Sequence, residues 1–177
     1  MPPNAETQIA VFRKTIGDSS KSDDIRSYDL SWLLHLVGDV HQPLHATSRF
    51  TRTEPNGDAG GNTVKTSCES SCGGATELHA FWDDLLGDTK APPQSAIDAA
   101  AQLQPANSNQ ASQMDETDWI NESFAIAKKS VYAPPVGDTD GPFKLTEEYQ
   151  SNSLKIAKEQ IALAGTRLAR LLNDAFK

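Results

Sequence analysis

The stretch His35-Leu-Val-Gly-Asp39-Val-His41-Gln-Pro-Leu-His45, together with Leu78-His79-Ala-Phe-Trp-Asp83 further on, decides how the chain is read. All 4 histidines of the chain lie in these two stretches. In each, a His is followed four positions later by an Asp, which on an α-helix stacks imidazole and carboxylate on one face, one turn apart. Leu33, Leu34, Leu36 and Val37 surround the first pair, and Phe81 and Trp82 the second. An unpaired carboxylate costs several kcal/mol to bury in such company, so Asp39 needs a cation. Two such pairs facing each other, with His45 turned out of its helix by Pro43, make a divalent-metal site. Imidazole and carboxylate are the ligands of catalytic zinc, and neither stretch holds the cysteines of closed structural sites. His41, two residues from Asp39, points away from the His35 face and is read as a hydrogen-bonding residue. Trp32 and Trp82 are read as core residues, and Asp84 as solvated or supporting.

The rest of the sequence is compatible with this. A chain of 177 residues, 37% hydrophobic and 23% charged, fits one domain over residues 1–177. No apolar run approaches the ~20 residues of a membrane span. With 16 Lys and Arg against 24 Asp and Glu, the formal charge of -8 has the wrong sign for gripping nucleic acid through a basic face. Bound divalent metals would have to attract phosphate locally. Cys68 and Cys72 lie in a polar loop, where a small local disulfide is favoured over a zinc clip that would lack further ligands. The triplet Asn121-Glu-Ser123 permits a secreted glycoprotein, yet the start, Met1 to Gln8, has neither the basic region nor the apolar core of a signal peptide.

Apolar periodicity predicts helices over about 5–16, 23–42, 77–86, 94–103, 118–131 and 146–175, an all-α class. The second carries Ile25, Tyr28, Leu30, Trp32, Leu33, Leu36 and Val37, too many for one narrow stripe, so it is expected to be central and to end at Pro43. Residues 46–74 read as a long loop with a two-stranded ribbon around 62–66, and 133–142 as a Pro- and Gly-rich linker. In the last helix Leu154, Ala157, Ile161, Ala164, Leu168 and Leu171 form the expected buried stripe.

The order His35 to His45, then Gly57-Asp-Ala-Gly-Gly-Asn62, then Leu78 to Asp83 resembles the zinc-dependent single-strand-specific nucleases of fungi and plants, relatives of bacterial zinc phospholipases C. The resemblance implies a mainly helical phospholipase C/nuclease-like fold with a disulfide-pinned loop or short β-ribbon, and three zinc ions in a cleft. It implies hydrolysis of single-stranded DNA and RNA to 5'-nucleotides, 3'-nucleotidase activity on 3'-nucleotides, and secretion. Carried over by position, His35 and Asp39 serve the first zinc, with Asp39 also bridging to the third. His45, His79 and Asp83 form the second site, and Asn62 lies on the substrate side.

The remaining ligands that the resemblance implies, a leading tryptophan, a nearby histidine, and later an aspartate and another histidine, have no counterpart before His35. A chain lacking the family's N-terminal helices, the C-terminal two-thirds of its domain, is therefore expected. One complete zinc site and impaired hydrolysis follow from that. A zinc phospholipase C and an inactive metal-binding domain are the competing expectations, and no obligate protein partner is implied.

Overall fold

The computed structural model describes residues 3–87, 92–139 and 141–177; Met1 and Pro2 of the start and Asp140 of the expected linker lie outside them. The described residues form helices α1 (Ala5–Thr15), α2 (Asp23–Asp39), α3 (Leu78–Asp83), α4 (Pro93–Ala100), α5 (Ser108–Ser112), α6 (Glu116–Ile126) and α7 (Glu147–Ala175). Two short strands, β1 (Thr66–Cys68) and β2 (Phe143–Leu145), complete them. The mainly helical class is as expected. Helix starts follow local chemistry: the side chains of Asn4, Ser22 and Thr146 accept from first-turn N–H groups of α1, α2 and α7 that would otherwise be orphaned.

α2 stops at Asp39, before the expected Gln42. The next N–H groups, of His41 and Gln42, bond to Gly38 and Asp39 in tight turns, and Pro43 opens a 3₁₀ turn, Pro43–Ala46. The segment from Asp39 to His45 thereby passes from one core to another. Val40 packs with Ile9, Leu33, Val37 and Trp119; Leu44 packs with Val64, Leu78, Trp82 and Val131.

α2 is not central: α1 and α7 pack against one side, burying Asp29, Leu33 and Val37. Its surplus apolar residues face solvent, Tyr28 being 61% and Trp32 42% exposed, so Trp32 is not a core residue. The buried face of α7 also differs. It comprises Tyr149, Ser153, Gln160, Leu163, Ala164, Arg167 and Leu171, while Ile161 is left 41% exposed.

Arg167 explains that register. Fully buried, it ion-pairs with Glu122 at 2.8 Å, donates to Gln110 O at 2.8 Å, and lies over the Trp119 ring at 5.3 Å. It also donates to His41 Nε2 at 2.8 Å. A buried cation fixed by an acid and a backbone carbonyl outranks one aliphatic contact, and a count of apolar residues does not register it. His41 is 2% exposed, and its Nδ1 lies 2.7 Å from Val37 O. A carbonyl only accepts, so Nδ1 carries the proton and Nε2 receives Arg167. Burial first, then the Arg167 charge, depresses the His41 pKa to about 4.

The long loop has a pinned interior. β1 pairs in parallel with β2, so the ribbon's second strand comes from beyond α6 and not from the loop itself. Cys68 and Cys72 form the expected disulfide. Asp58, with no exposed surface, accepts from Arg49 N at 2.9 Å, Gly61 N at 3.1 Å and Tyr132 Oη at 2.8 Å, with Arg49 Nε at 3.5 Å. Burial and the Asp58 hydrogen bond push the Tyr132 hydroxyl far above its usual pKa, which keeps it a donor.

As pH falls below 6.5, the unfolded chain takes up a proton that folded His41 refuses until about 4, so stability drains across that window. In urea titrations at pH 7 and pH 4, the native sequence should lose about 3 kcal/mol more than His41→Gln. Asp58→Ala strands several buried donors and should cost about 3 kcal/mol at pH 7, with Asp58→Asn recovering part, as measured by urea unfolding.

Candidate metal centre

The end of α2, the turn after it and α3 converge on one place. Asp39 is the last residue of α2 and His35 sits one turn earlier, its Nε2 3.2 Å from Asp39 Oδ2. On α3, His79 Nε2 lies 3.4 Å from Asp83 Oδ2 in the same arrangement. Between the pairs stands His45, with Nδ1 3.7 Å from Asp39 and Nε2 3.7 Å from Asp83. The His45 and His79 rings stack at 5.0 Å, 11° from parallel. Each of His45, His79 and Asp83 offers one ligand atom within 4.8 Å of the others, which suits a metal ion. His35 and Asp39 adjoin this trio through His45, and His35 is the open member, its side chain 60% exposed.

The orientation of His79 comes from the loop. Its Nδ1 lies 2.8 Å from Gly60 O, so Nδ1 donates and Nε2 is left facing Asp83 and His45. Gly60 has φ +65°, and a Cβ there would meet Leu44 O at 2.6 Å; only glycine brings that carbonyl so close. The shelf is held in turn by Asp58 through Gly61 N. Asp83 is steadied by Gln42, whose Nε2 donates at 2.8 Å.

The electrostatics favour positive charge. The hydrogen bond to Asp83 raises the His45 pKa, against the effect of burial and aided by Asp39. Burial pushes Asp83 up, but hydrogen bonds from His45 and Gln42 and the charges of His79 and His45 outweigh it, and its carboxyl titrates below its ordinary value. Two carboxylates and three imidazoles with free ring nitrogens thus form a cation-attracting cluster inside a protein of net charge -8.

Beside the cluster runs an open groove of about 520 Å³ lined by Asp39, His45, Thr47, Ser48, Gly60 and His79. Asn62 is exposed and turns back on its own loop, its Nδ2 donating to Ala59 O at 2.8 Å. His41 lies apart, engaged by Val37 and Arg167. Asn121 is exposed on α6, whereas Ser123 is buried and donates to Val40 O at 2.6 Å. Sequence reasoning missed Asp58, Gly60 and Gln42 as supports. Gly60 and Gly61 are a turn signal, and Asp58 and Gln42 stand inside the quoted motifs, but their supporting roles rest on Tyr132 and Asp83, partners distant in the chain.

The family described as S1/P1 Nuclease matches residues 4–177. Endonuclease 3 of Arabidopsis thaliana is 28% identical over 190 residues, spanning 94% of this chain and 60% of the relative. For Endonuclease 4 of the same plant the values are 29%, 94% and 59%. Nuclease S1 of Aspergillus oryzae is 25% identical over 166 residues, spanning 81% of this chain and 53% of the relative. The chain therefore spans about 60% of the length of the plant relatives it matches. With that match over nearly its whole length, the chain belongs to the S1/P1 nuclease family.

Proposed function

We propose that this chain is a zinc-dependent phosphodiesterase acting on single-stranded nucleic acid, and that residues 1–177 form one domain. The observation that carries the reading is the convergence of His45, His79 and Asp83 within 4.8 Å, with His79 locked by a backbone carbonyl. Two imidazoles and a carboxylate are the donor set of catalytic zinc sites that keep a position open for water. The names of the relatives, endonucleases and Nuclease S1, point the same way.

His45, His79 and Asp83 would hold one zinc. His35 and Asp39 would supply part of a second set, and the approach of Asp39 to His45 supports a shared role for its carboxylate. Bound zinc supplies a lowered water pKa near neutral pH and a positive field for the charge that develops on phosphorus oxygens. The protein's own share is positional. The Gly60 carbonyl keeps the His79 proton on Nδ1, so Nε2 stays free to ligate. Gln42 restrains the Asp83 carboxylate from rotating. The open groove admits a flexible strand, and Asn62, on the turn bordering it, is assigned to the substrate side. The Cys68–Cys72 disulfide fits a secreted setting. Among the described residues no helix is long and apolar enough to cross a membrane.

With one complete donor set, these 177 residues should bind one zinc tightly. Titration of metal-free protein should show that equivalent, abolished in Asp83→Ala and weakened about tenfold in Gln42→Leu. Release of acid-soluble nucleotides from denatured DNA should require zinc and disappear with Asp83→Ala. Hydrolysis that survives both chelation and Asp83→Ala would refute the reading. Zinc uptake without hydrolysis would reassign the chain as a metal-binding domain, and phosphocholine release from lecithin would redirect it to lipid.

A further inference from the structure

Two contacts of His79 come from one short turn. Its ring Nδ1 donates to Gly60 O at 2.8 Å, and its backbone N–H donates to Gly61 O at 3.4 Å. The turn has a costly backbone: Ala59, Gly60 and Gly61 are consecutive left-handed residues, with φ of 51°, 65° and 83°. Glycine adopts this region freely, whereas alanine stays there only where its surroundings hold it. The holding group is the buried carboxylate of Asp58, immediately before the run. Its Oδ1 accepts from Arg49 N at 2.9 Å and from Gly61 N at 3.1 Å, so the turn closes on its own acid. The other oxygen depends on a distant segment. Oδ2 accepts from Tyr132 Oη at 2.8 Å, while Arg49 Nε stands 3.5 Å away and makes no hydrogen bond.

We propose that Tyr132 is a positioning residue for the metal centre, acting through Asp58 and the turn 59–61 on the direction of His79 Nε2. The inference rests on the reading of His79 as a zinc ligand. Tyr132 directly follows the π-helical turn Ala127–Val131 and lies 74 residues beyond Asp58. Its backbone N–H bonds to Ala127 O at 3.1 Å, and its ring packs against the core with the Arg49 guanidinium 4.6 Å from the ring centre. That guanidinium also donates to the carbonyls of Gly137 and Thr139, which ties the segment after Tyr132 to the loop that Tyr132 supports. Without the hydroxyl, the group left near Oδ2 among the described residues is Arg49 Nε. The carboxylate then turns toward that cation, Gly61 N loses its aligned acceptor, and the left-handed turn relaxes. Gly60 O moves off His79 Nδ1 as a consequence. An imidazole that loses this acceptor carries its proton on either nitrogen, and a proton on Nε2 competes with the metal. The hydroxyl thus governs metal affinity from outside the ligand cluster.

The test compares the native 177-residue chain with Tyr132→Phe, which keeps the ring beneath Arg49 and removes the hydroxyl alone. Metal titration should show zinc held about tenfold more weakly by Tyr132→Phe. Long-range ¹H–¹⁵N spectra of the metal-free proteins at mildly alkaline pH should show His79 passing from the Nδ1–H tautomer to a mixture. Leu171→Ala, which opens a cavity in the other core, separates this effect from plain loss of stability. It should lower the urea midpoint at least as far as Tyr132→Phe and leave zinc affinity and the His79 tautomer unchanged. Native zinc affinity in Tyr132→Phe, an unmoved His79 tautomer, or an equal loss of affinity in Leu171→Ala would overturn the proposal and leave the hydroxyl a structural contact. In each of those cases the zinc-site reading stands, because the native chain still binds the metal. Failure of zinc to bind the native chain would overturn both.

Discussion

Asp39 and Asp83 arrive from different helices and meet the two nitrogens of one imidazole, each 3.7 Å from His45. Two carboxylates that share a neighbour repel each other, and the repulsion grows as water is excluded. The fold accepts that cost and adds supports that prevent either acid from turning away. Gln42 holds Asp83, His35 holds Asp39, and the Gly60 carbonyl aims His79 into the gap. A cation satisfies all of them at once. The raised pKa of His45 and the lowered pKa of Asp83 are two expressions of the same demand for positive charge.

The scaffold behind the centre makes this arrangement stiff. The segment from Asp39 to His45 links two cores, so both residues sit at a junction whose ends are anchored. His41, in the middle of that segment, faces inward and is tied through Arg167 to α7, Glu122 and Trp119. On the opposite side the loop is organised by the buried Asp58, whose partners reach from Arg49 to Tyr132. Inward-facing polar residues therefore set positions that apolar packing alone would leave loose.

Much of the centre was legible because its chemistry is written locally. A His and an Asp spaced by one helical turn fall on one face whatever the tertiary structure, and both pairs behave this way. The stop at Gly87 and the start of α7 at Thr146 were readable for the same reason, since capping depends on neighbours in the chain. Features that depend on distant partners were not readable. The parallel pairing of Thr66 with Phe143 joins segments far apart in sequence, and the burial of Gln160 and Arg167 on α7 follows from what faces them. By count alone the surplus apolar residues of α2 point to central burial, yet they line an exposed face on which Tyr28, Trp32 and His35 meet edge to face.

The most direct test is anomalous diffraction at the zinc absorption edge from crystals of the zinc-loaded protein. A peak is expected about 2.0–2.2 Å from a ring nitrogen of His45, Nε2 of His79 and a carboxylate oxygen of Asp83. Anomalous density lying only elsewhere, with the His45 and His79 rings and Asp83 still in contact and no ion among them, would contradict it.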